Sequence, residues 1–173
     1  MTILCDTQLH TIIEEGVVEN ADLKLVNPAS LDLRLGNTIM IESVEGLEMI
    51  PCDIGNCTQE DPYLLVPGQF VLAQTMEMFN LPEELALFFY LKSSRAREGY
   101  EHSHAGFGDP GWCGSVLTLE LKNNRQLQPL PLWPGLKIGQ AVFMFMSHAP
   151  KVSYAEVGHY CMNATVTGSV GHL

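Results

Sequence analysis

The chain has 173 residues, 46% hydrophobic and 17% charged, a composition that supports a globular domain with a proper core and excludes disorder. Nine Lys and Arg stand against twenty Asp and Glu, a formal charge of −11. That balance argues against a general nucleic-acid or anionic-membrane binder, since both need a basic face. No apolar run approaches the ~20 residues of a membrane span, and "MTILCDTQLH" lacks the basic start and apolar core of a secretion signal. A cytoplasmic protein is expected.

The first segment, "CDTQLHTIIEEG", predicts a short N-terminal helix. Asp6 is a good N-cap, Leu9, Ile12 and Ile13 share a face, and Gly16 is a stop. The period then changes. "SLDLRLG" alternates Leu31, Leu33 and Leu35 with Ser30, Asp32 and Arg34, as a half-buried strand does. "TIMIES", "YLLV", "QFVLAQT", "LALFFYLK", "SVLTLELK" and "IGQAVFMFM" are further short apolar runs. "VPGQ" at 66–69 and "WPGL" at 133–136 place Pro then Gly as a type II turn requires, and "LPEELA" predicts one helical turn between strands. Many short strands with Gly and Pro turns predict one all-β barrel or sandwich over residues 1–173.

Five cysteines, Cys5, Cys52, Cys57, Cys113 and Cys161, are odd in number and irregularly spaced. Free, partly buried thiols are expected rather than a disulfide framework. Cys52 and Cys57 lack the partner pair that a structural zinc needs.

The scarce positive charge is concentrated in "LKSSRAREGY" at 91–100, where Lys92, Arg95 and Arg97 flank Ser93 and Ser94. "RARE" followed by Gly99 signals a short helix that a serine can cap. With Lys92 before it and Arg97 a turn inside, its N-terminus suits a phosphate. Equally, the cations can pair with Glu98, Glu101 and other acids. In "HAGFGDPGWCGSVLTLELKN", four glycines and a proline surround Asp109 before a strand that carries Glu120. Alternation puts Val116, Thr118, Glu120 and Lys122 on one face and Leu117, Leu119 and Leu121 on the other. The face of Glu120 is either solvent or a pocket roofed by a neighbouring subunit. His102 and His104 form an H-x-H that invites a metal, yet no third ligand is apparent.

Taken together these motifs resemble the deoxycytidine triphosphate deaminases of the trimeric dUTPase-like superfamily. "KSSRAREG" is similar to that family's "RSSLARxG", "HAGFGDPGWCGSVLTLELKN" to "TAGxIDPGxxGxxTLELxN", and "LWPGLKIGQAVF" to "LRPGMxIGxLxF". "ILCDTQLHTIIEEG", "NPASLDLRLGN", "LVPGQFVLAQTMEMFNLPEELA" and, more weakly, "GHYCMNATVTGS" follow the family's other segments in order. The resemblance implies a distorted β-barrel or jelly roll with a short N-terminal helix, a homotrimer with sites between subunits, and a mobile lid tail at 158–173.

It also implies metal-free hydrolytic deamination of dCTP to dUTP, or onward to dUMP, as a supply for dTTP, with dTTP as an inhibitor. A plain dUTPase and a non-catalytic nucleotide sensor are the alternatives. Zinc deaminases use H-x-E with C-x-x-C, and neither is present, so no catalytic zinc is expected. By the resemblance Glu120 is the proton-shuttling base, Ser93 and Arg97 hold it and the water, and the Ala105 carbonyl completes the water site. Lys92, Ser94, Asp109, Trp112, Tyr154, His159, Tyr160 and Asn163 bind nucleotide, and Mg²⁺ arrives on the triphosphate. Asp109 is read either as a water-activating base at the α-phosphate or as a turn residue before Pro110. Departures are Lys92 for arginine, His104 for threonine, His159 for lysine and Asn163 for glutamine. The segment Arg97 to Ala105 is one residue short, and Asp109 to Glu120 is one long, which fits a β-bulge.

Overall fold

The computed structural model describes residues 2–46 and 48–170. The helix Asp6–Glu14 forms as expected and buries Leu9 and Ile12. Its N-cap is Cys5 rather than Asp6. The Cys5 backbone is extended and its N–H donates to Gln8 Oε1 at 3.2 Å, while the Asp6 carboxylate accepts from Thr7 N–H at 2.8 Å. Gly16, at φ +81°, follows the helix in the left-handed region.

One long strand, Ser30–Glu42, organises the rest. Its first half pairs with Lys137–Phe145, which pairs onward with Leu85–Leu91. Its second half pairs with Met49–Asp53 and with Phe70–Phe79. Phe70–Phe79 continues the sheet to Ser115–Asn123, and that strand to Tyr100–His102. Between Leu35 and Ile39 the register slips, and there the strand leaves one partner set for the other. The described sheet therefore curls into a distorted half-barrel, mainly β in content, of the kind the motifs imply.

Burial explains the curl. Leu31, Leu33, Leu35 and Ile39 are wholly enclosed, together with Phe79, Phe143 and Leu119 from the facing strands. Both Pro-Gly turns are of the expected type. Gln69 N–H reaches Val66 O at 3.0 Å with Gly68 at φ +79°, and Leu136 N–H reaches Trp133 O at 3.2 Å with Gly135 at φ +89°. "LPEELA" does not form a helical turn. Strand pairing resumes at Leu85, leaving room only for a tight turn closed by Leu85 N–H to Pro82 O at 3.2 Å. Among the described residues no helix is long and apolar enough to cross a membrane.

Candidate active site

Ser115–Asn123 divides its side chains as alternation requires: Leu117, Leu119 and Leu121 enter the core while Thr118 and Glu120 stay half-exposed on the other face. Across the ladder Glu120 lies opposite Leu72, and Thr118 opposite Gln74. The register does slip, between Val116 and Thr118, but the surplus sits in the partner strand, which runs from Met78 to Gln74 over that step. The expected bulge is thus in Phe70–Phe79 and not between Asp109 and Glu120. Thr75 bridges the gap: its hydroxyl accepts from Leu117 N–H at 3.0 Å and donates to Glu77 O at 2.7 Å.

The glycine-rich loop closes against this face. A Cβ on Gly106 would lie 2.8 Å from both the Cβ and the carbonyl oxygen of Phe89, so only glycine lets the loop approach this closely. Trp112 N–H donates to Asp109 O at 3.1 Å, and Gly111 takes φ +84° inside that turn. The backbone alone closes the turn. The exposed Asp109 carboxylate makes no hydrogen bond among the described residues and lines a cavity of about 290 Å³. Trp112 is 6% exposed, stacks on Phe79 at 5.5 Å and donates its indole N–H to Tyr160 O at 2.9 Å.

Seven of the twelve expected site residues line that one cavity: Ala105, Asp109, Trp112, Glu120, Tyr154, Tyr160 and Asn163. Glu120 has a neighbour that sequence reasoning left unassigned. His102 is buried, packs on the Phe89 ring at 4.7 Å and holds Nε2 3.3 Å from Glu120 Oε2. His104 is exposed and takes φ +61°. The H-x-H therefore divides between a carboxylate neighbour and a surface residue, and no group of three His, Cys, Asp or Glu side chains converges among the described residues.

Lys92, Ser93, Ser94 and Arg97 stand apart from the cavity. The helix Ser93–Glu98 begins one residue earlier than a serine cap would place it. Lys92 occupies the cap position without a side-chain cap bond, and both serines are already in the first turn, exposed. Lys92 Nζ pairs with Asp32 at 2.6 Å and Arg95 with Glu98 at 2.6 Å, so two of the three cations are matched by acids of this chain. Arg97 is exposed. Within one chain neither Ser93 nor Arg97 hydrogen-bonds Glu120 among the described residues, so the expected holding role, which the resemblance sets between subunits, is not met inside a single copy.

The tail is described to residue 170, and residues 171–173 of the expected lid lie outside the described residues. A helical turn, Tyr154–Val157, opens it, with Ser153 N–H donating to Glu156 Oε1 at 3.3 Å. "SYAE" carries that capping-box signal, which could have found the turn. The chain then runs along the cavity wall. Ser115 Oγ donates to Tyr160 O at 2.8 Å and accepts from Asn163 N–H at 3.1 Å. Gln74 Oε1 accepts from the Thr165 hydroxyl at 3.0 Å and from Val166 N–H at 2.9 Å. His159 is exposed and does not line the cavity.

Known proteins resemble this chain in sequence and in fold. The model of the dCTP deaminase-like family matches residues 3–146. A Mycobacterium leprae protein named dCTP deaminase, dUMP-forming, is 40% identical over 165 residues, covering 89% of this chain and 86% of the relative. A Corynebacterium efficiens protein of the same name is 36% identical over 165 residues, covering 89% and 84%. The chain belongs to the dCTP deaminase-like family. In fold it is similar to the crystal structure of a 2'-deoxycytidine 5'-triphosphate deaminase from Agrobacterium tumefaciens, at TM-score 0.69 and 21% identity. That match covers 84% of this chain and about half, 48%, of the solved chain.

Proposed function

We propose that the protein removes the 4-amino group of dCTP by attack of water, then hydrolyses the resulting dUTP to dUMP and pyrophosphate. The observation that carries this reading is the placing of two carboxylates, Glu120 and Asp109, on one cavity. Deamination needs a base that takes a proton from water as it attacks C4 and gives a proton to N3 before ammonia leaves. Glu120 is suited to both transfers because it is half-buried on the cavity with His102 Nε2 3.3 Å from its carboxylate. Asp109, which makes no side-chain hydrogen bond among the described residues, would activate a second water against the α-phosphate. The relatives' dUMP-forming names support the second step. A phosphohydrolase acting on dUTP alone has no use for a carboxylate such as Glu120 near the base.

Magnesium would enter with the triphosphate, and the unpaired Asp109 carboxylate is a fitting oxygen ligand for it. The ion would neutralise phosphate charge, while this chain's residues position base and water. Trp112, Val116 and Leu72, the residue opposite Glu120, line the cavity with apolar side chains that would limit bulk water around the cytosine.

Ser93 and Arg97 are exposed and, with Lys92, do not line their own chain's Glu120 cavity, which supports a homotrimer in which these residues serve a neighbouring copy's cavity. Incubating dCTP with Mg²⁺ and the protein, and separating products by anion exchange, tests the reaction. The expected products are dUMP and pyrophosphate, and Glu120→Gln should lower the rate by at least ~100-fold while the protein stays folded. Unchanged dCTP with the parent protein, or a parental rate in the variant, would contradict the reading.

A further inference from the structure

Cys113 and Cys161, both free thiols, bring their Sγ atoms to 3.9 Å. They meet across the seam between the Asp109 loop and the tail. Met162 N–H donates to Cys113 O at 3.0 Å, so the backbones beside the two thiols are already adjacent. Trp112 and Ser115, on either side of Cys113 and Gly114, both donate to Tyr160 O, at 2.9 and 2.8 Å. Gly114 takes φ +62°, and a Cβ there would lie 2.4 Å from Met162 Sδ. Turn and tail are therefore in close contact at this point. A disulfide needs the sulfurs at about 2.05 Å, so the two half-buried thiols, 3.9 Å apart, would have to close by roughly 2 Å.

We propose that Cys113 and Cys161 form a reversible disulfide site, oxidised by small-molecule disulfides such as oxidised glutathione, that locks the tail over the cavity. One cysteine thiolate attacks a sulfur of the oxidant, forming a mixed disulfide and releasing one small thiol. The second cysteine thiolate attacks the protein sulfur of that mixed disulfide, forming the Cys113–Cys161 bond and releasing the second small thiol. The oxidant gains two electrons and the protein's two thiol protons; the protein loses them. In a reducing compartment such a bond would be transient, which suits a switch and not a framework. Tyr160 and Asn163 flank Cys161 and line the cavity, so fixing Cys161 fixes the cavity wall. The consequence for turnover rests on the proposed nucleotide activity, whereas the bond itself does not.

The test uses the full chain in the native state, equilibrated with oxidised glutathione and mapped by non-reducing tryptic peptide analysis. The expected result is one intramolecular link between the peptides carrying Cys113 and Cys161, reversed by excess reduced glutathione. Persistence of both as free thiols, a stable glutathione adduct on either, or a link between two chains would overturn the site. Where the reduced protein turns over dCTP, the linked form should be slower by about tenfold and recover on reduction, as expected when a lid must open. Cys161→Ser should be indifferent to the oxidant. An unchanged rate in the linked form would overturn the lock. A mapped bond in a protein without turnover would keep the site and count against the nucleotide activity alone.

Discussion

Burial sets what individual side chains of this protein can do with protons. Tyr100 is 2% exposed and its hydroxyl donates to the carbonyl of Pro131. Burial, ahead of the nearby charges, pushes its phenol up to about 12. The folded value lies above the unfolded one of about 10, so the neutral phenol's contribution is full below about pH 10 and is lost as pH rises through about 12. Tyr100→Phe should cost about 1 kcal/mol at neutral pH, from the lost hydrogen bond, and should fall less steeply in stability above about pH 10. Denaturant unfolding of both proteins across that range checks this, and parallel alkaline limbs would contradict it. Glu77 is also fully enclosed, and burial raises its carboxyl against the opposing pull of Arg34, whose Nε lies 2.8 Å away.

At the level of elements, the tail is held by few bonds, and Gln74 makes two of them. Gln74→Ala would leave the buried Val166 N–H without its acceptor, a local cost of about 1–3 kcal/mol. Amide exchange over residues 163–170 should then quicken by about 10-fold or more, with the strand Lys137–Phe145 unaffected. Equal exchange in both proteins would mean that the tail is held by something else. The apolar run "QFVLAQT" marked a strand but gave Gln74 no role, because its tail partners lie more than ninety residues away and no local pattern connects them. The long strands, both Pro-Gly turns and the inward leucines were readable because each repeats a local period. Short pairings such as Val18–Glu19 and Phe107–Gly108 were not, since two residues carry no period. The cap at Cys5 and the unhelical "LPEELA" likewise depend on where neighbouring strands begin.

The whole molecule explains why the site was only half legible. Glu120, Asp109 and the tail aromatics converge within one chain because loop, strand and tail pack on each other. The basic helix does not join them. In an acidic chain its cations are partly matched by Asp32 and Glu98, and Ser93 and Arg97 face outward. No local pattern distinguishes a residue serving its own cavity from one serving a neighbour's. In the proposed trimer, each working site combines Glu120 of one copy with Arg97 of another. The direct measurement is subunit complementation: Glu120→Gln and Arg97→Ala proteins, each inactive alone, are co-assembled and assayed with dCTP. Random mixing in a closed ring leaves about a quarter of the sites with both groups intact, so about a quarter of parental activity should return. Mixed assemblies as inactive as either parent, with both variants folded and oligomeric, would contradict a site shared between copies.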